Sequence, residues 1–140
     1  MKIATLVARI LLGLLFLVFG FNGFLHFLPM SPPPGVAGQY LGALFVSHYL
    51  VAVFTIEIIG AVLLLAGRFV PLALILLGPV IVNILLFHSL MAPEGLPIAL
   101  FATLLWVIFL GVHGAFTHLF KAHYAADARP EVGEIGRAHV

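Results

Sequence analysis

The sequence predicts an all-α protein, a four-transmembrane-helix bundle with both termini in the cytoplasm. Three observations predict it. The 140 residues are 64% hydrophobic and only 8% charged, with a mean hydropathy of +1.27, a balance foreign to soluble domains. The stretches 3–27, 46–66, 70–91 and 96–120 are each apolar over the roughly 20 residues that a helix needs to cross a bilayer. The six Lys and Arg residues fall on one side of the four spans they imply. Together these define one membrane domain over 1–124, followed by a short tail over 125–140 expected to be flexible, because it has no apolar periodicity.

The first span opens on Met1-Lys2 and resembles a signal peptide. Its apolar run is long, however, and ends in Phe24-Leu25-His26-Phe27 rather than in a small-x-small site, so it is expected to remain as a helix. Asn22 and His26 lie four apart and would share one helical face near its outer end. The connection over 28–45 has no Lys or Arg and is rich in Pro and Gly, from Pro29 to Gly38. It reads as a long outer loop. Bare in hydrocarbon its backbone donors would be unpaired, so it is expected to fold down as a cap.

The second span carries Glu57, eleven residues after Val46. That is about 16 Å along a helix, close to the bilayer centre. An acidic group at such a depth costs about 2.5–3.5 kcal/mol or more, and acids kept there commonly mark ligand or proton sites. Glu57 should face the bundle interior, near Asn83 or the first span. If amides hold it, Gln should replace it with less damage than Leu. The alternative is a neutral acid that only glues two helices. Gly67 ends this span, and Pro71 suits the first turn of the next.

The third span holds Gly78-Pro79, Asn83 and His88. A kink at Pro79 frees one carbonyl, for packing or for a widened pocket beside Asn83. Asn83 and His88 are five apart, about 140° of rotation, so they do not share a face. Pro93, Gly95 and Pro97 break the chain before the fourth span. There Trp106, His113 and Thr117 recur at seven and four, along one face. Small residues such as Gly13 and Gly20, or Gly60 and Gly67, allow close helix contact.

Lys2 and Arg9 begin the first span, Arg68 sits in the second turn, and Lys121, Arg129 and Arg137 follow the fourth. The positive-inside rule then places the termini in the cytoplasm. There are no cysteines, which excludes disulfides, a thiol relay and a cysteine-held iron–sulfur cluster. A formal charge of +1 without a basic patch argues against nucleic acid as a partner. His26, His48 and His88 fall at similar depth near the outer rim, where they would bind a metal, pass protons or hydrogen-bond to water. No metal is expected, because His48 and Glu57 lie on opposite sides of their helix. His88 and His113 differ too much in depth to share a haem.

Three blocks together resemble the DoxX family of small four-helix membrane proteins. They are Arg9-Ile10-Leu11-Leu12-Gly13-Leu14-Leu15-Phe16 with Phe19-Gly20, Glu57-Ile58-Ile59-Gly60-Ala61-Val62-Leu63-Leu64-Leu65-Ala66-Gly67-Arg68, and Val82-Asn83-Ile84-Leu85-Leu86-Phe87-His88. The likeness covers roughly residues 3 to 120. Many members carry a lysine near the outer end of the first helix, where this chain has Asn22-Gly23-Phe24-Leu25-His26. The resemblance implies a bacterial inner membrane, the lipid bilayer and a redox protein as partners, and quinone-linked chemistry as an accessory subunit. A ligand pocket would draw on Phe16, Phe19, Asn22, His26, Glu57, Asn83, His88 and Trp106. His and Asn would donate to the ring oxygens of a quinone, with electrons coming from elsewhere. A different class of function is a non-catalytic scaffold or small transporter component, in which the polar residues only pin helices.

Overall fold

The computed structural model describes residues 2–113 and 121. Five α-helices run in order: α1 (Lys2–Leu25), α2 (Gly35–Val46), α3 (Tyr49–Ala66), α4 (Val70–Leu90) and, after a 3-10 turn at Pro93–Gly95, α5 (Leu96–His113). No strand occurs among the described residues. Helices α1, α3, α4 and α5 are long and apolar enough to cross a membrane, which gives a multi-pass membrane protein. The extension of the fourth span to Phe120, with Thr117, and the 125–140 tail lie outside the described residues.

The four long helices form a ring. Helix α1 packs chiefly on α3, α3 on α4, α4 on α5, and α5 closes back on α1. The inner seam is made of Leu12 and Phe16 from α1, Ala61 and Leu64 from α3, Leu74 and Leu77 from α4, and Phe109 from α5, all essentially fully buried. The spacing of Ala8, Leu12 and Phe16, four apart, keeps one face of α1 inward. Large apolar side chains such as Ile3, Leu14, Val62, Ile75 and Leu104 stand exposed on the outside. Such helices are apolar all round and suit a lipid surround rather than water.

Close approach of α1 and α3 needs Gly20. A Cβ there would lie 2.8 Å from Ile58 Cγ1 and 3.3 Å from the Cβ of Glu57. Gly67 is needed for its conformation, with φ +66°. Its N–H donates to the Leu64 carbonyl and that of Arg68 to the Leu63 carbonyl, at 3.1 and 3.2 Å, which is the Schellman pattern that closes α3. The Arg9 guanidinium lies against Gly67, at a helix end whose carbonyls favour a cation. Arg9 and Arg68 therefore share one end of the bundle.

Two expectations are corrected. The 28–45 connection is not a loop throughout: its second half is α2, an uncharged 12-residue helix too short to span. Its Tyr40 ring stacks on Phe87 of α4, with centroids 5.8 Å apart, and Ala37 is buried. Secondly, α1 stops at Leu25, so Asn22 and His26 share no helical face. His26 takes a left-handed backbone, φ +51°, and its N–H donates to the Asn22 carbonyl at 2.9 Å. The turn is locked because Asn22 Oδ1 accepts the Leu28 N–H at 2.7 Å.

Candidate functional site

Glu57 and Asn22 are the two polar residues buried in the described bundle, 5% and 8% exposed. Glu57 sits where α3 meets α1 at Gly20, on which a Cβ would lie 3.3 Å from that of Glu57. Its Oε2 is buried and meets no hydrogen-bond donor. Such an acceptor costs about 1–3 kcal/mol when left unpaired.

The carboxyl lines a cavity of roughly 500 Å³, within the range of small-molecule sites. Phe16 and Phe19 of α1 and Phe54 of α3 form one side; Ile84 and His88 of α4 with Ala99 and Ala102 of α5 form the other. Leu28 and Met30, from the connection after α1, close part of the end away from Arg9. Phe54 is held in place edge-on to Phe24, with centroids 6.0 Å apart. The absent side chain of Gly23 leaves space for its ring.

Of the residues singled out from the sequence, Phe16, Phe19, Asn22, Glu57 and His88 line this cavity. His26, Asn83 and Trp106 do not. His26 is exposed in the turn after α1. Asn83 is exposed on α4 and its Nδ2 donates to the Tyr40 hydroxyl at 3.2 Å, so it is not the companion of Glu57. Trp106 donates its indole N–H to the Leu74 carbonyl at 3.1 Å. That carbonyl neighbours Ile75, whose own i+4 donor is missing because Pro79 has no N–H. Gly78 gives Trp106 its space, as a Cβ there would lie 3.2 Å from the ring. The Pro79 segment thus serves packing between α4 and α5.

The three outer histidines are not brought together. His48 is exposed in the α2–α3 junction with φ +60°, and its Nδ1 bonds the Val46 carbonyl at 3.1 Å. His26 and His48 are turn residues, consistent with the tolerance of His for left-handed backbone. No group of three His, Cys, Asp or Glu side chains suited to a metal forms among the described residues. His88 alone faces the cavity, and its Nδ1 bonds the Ala92 carbonyl at 2.8 Å.

An apolar ring of quinone size fits the cavity by volume and by its aromatic walls. The expected donors are otherwise engaged. Asn22 is held at both ends by the following loop, its Nδ2 donating to Met30 Sδ at 3.5 Å and its Oδ1 accepting from Leu28. Phe54, Gly95, Ala99 and Ala102 are also walls, none of them expected as such from the sequence. The small residues at 99 and 102, three apart on α5, were the available signal. Comparison with protein-family models, curated proteins and solved structures finds no match to this chain.

Proposed function

We propose that this chain is a DoxX-like protein of a bacterial inner membrane, with cytoplasmic termini, that binds an apolar ring such as a quinone between its helices and serves as an accessory subunit to a redox protein. The observation that carries the ligand-binding half is the unpaired Oε2 of Glu57 beside a cavity of roughly 500 Å³. A buried carboxyl without a partner suits such a ring in two ways: ionised, it accepts from a hydroxyl of the reduced form, and protonated, it donates to a carbonyl oxygen of the oxidised form. The resemblance of the three sequence blocks supports the redox setting, and the one-sided charges support the orientation. The chain has no electron carrier among its side chains, so its own part is to bind and orient the ring and to keep water away from it.

The test is gentle purification in native lipid, followed by mass spectrometry and an absorbance spectrum. A retained quinone that disappears in Glu57→Leu is the expected result. A ligand-free protein with no redox partner co-purifying would leave the scaffold reading. That second reading is favoured by Asn83 and Trp106, both of which hold one helix to another.

A further inference from the structure

The hydrogen bond made by His88 bears on the tautomer of its ring. A carbonyl oxygen only accepts, so the 2.8 Å contact of Nδ1 with the Ala92 carbonyl requires the proton on Nδ1. In the neutral ring Nε2 then carries a lone pair and no hydrogen. The position of the ring is held by more than one contact. The imidazole lies over Gly95, where a side chain would collide with it, and Phe87 stands edge-on to it with centroids 5.0 Å apart. No hydrogen bond within the described residues reaches Nε2. Of the other polar groups of the cavity, Asn22 is tied to the Leu28–Met30 segment, and the Glu57 carboxyl accepts in either protonation state and also donates when protonated.

We infer that the cavity takes an apolar ligand bearing a hydroxyl, whose O–H donates to Nε2 of His88, in preference to the same skeleton with only acceptor oxygens. This rests on the reading of the cavity as a ligand site and narrows its substrate class. For a quinone-like ring, the form that matches is the reduced one with hydroxyl groups. His88 acts here as an acceptor, the reverse of the donor role expected from the sequence.

The experiment compares saturable binding of a 4-alkylphenol and its methyl ether to the intact protein in lipid nanodiscs, at matched concentration in the bilayer. The phenol is expected to bind about tenfold more tightly, the worth of roughly one hydrogen bond. In His88→Phe, which keeps a ring over Gly95, the preference is expected to fall by most of that factor, with Glu57 left as the other acceptor, while both probes still bind. Equal binding of the two probes to the unaltered protein would overturn the donor requirement and leave the cavity reading standing. An undiminished preference in His88→Phe would overturn the assignment to His88. Saturable binding of neither probe would remove the cavity reading, and this inference with it.

Discussion

Replacing Glu57 by Leu is expected to leave the fold intact or to strengthen it. From the sequence the opposite order follows, with Gln the milder change, because a carboxyl held by amides would leave them unpaired when removed. The structure removes that premise. Oε2 of Glu57 is buried without a donor, and Asn83 is bonded to Tyr40 instead. A buried acceptor left unpaired costs about 1–3 kcal/mol, and an apolar group of similar size does not incur it. Leu at this site should therefore range from neutral to about 3 kcal/mol more stable than Glu. Gln keeps an unpaired oxygen and adds two N–H donors, so it should gain nothing. Reversible unfolding in mixed micelles, titrated with a denaturing detergent, reads the difference. If Leu costs more than about 1 kcal/mol while Gln is neutral, then Glu57 is held by hydrogen bonds after all. The case for a site kept for a ligand would then fail.

Gly67→Ala should destabilise the bundle by more than the roughly 1–2 kcal/mol of a left-handed backbone, because the added methyl also meets the Arg9 guanidinium; Arg9→Ala in the same background should recover part of the loss in the same unfolding assay. Trp106→Phe should cost about 0.6 to 1 kcal/mol, the worth of an interhelical hydrogen bond in a membrane, and should leave ligand retention unchanged, since Trp106 lies outside the cavity. Reporter fusions to the two ends of the chain should both read cytoplasmic; an external signal from either would overturn the orientation.

The four spans were legible because membrane crossing is a matter of length and apolarity, which need no tertiary context. So was the α3–α4 turn, where Gly67 and Pro71 each carry a local backbone requirement. Helix α2 was not. Its start is hidden behind Pro29 to Gly35, and its 12 residues carry neither charge alternation nor spanning length. Asn83 was misjudged for the same reason, as its partner Tyr40 sits on that unforeseen helix 43 positions away. His26 and His48 were grouped by depth, a one-dimensional measure that says nothing of direction, and both turned out to shape turns. The cavity itself is an absence of side-chain volume. Ala99 and Ala102 read equally well as close packing until the opposite wall, with Phe16 and Phe54, is in place.

A molecule bound in the cavity should meet the carboxyl of Glu57, and infrared difference spectroscopy reads that contact. Protein in lipid nanodiscs is recorded with and without a 4-alkylphenol, alongside Glu57→Leu. A carboxyl stretching band is expected to shift on binding and to be missing from the variant's difference spectrum. Saturable binding that leaves the carboxyl bands unmoved, or moves them equally in the variant, would contradict it.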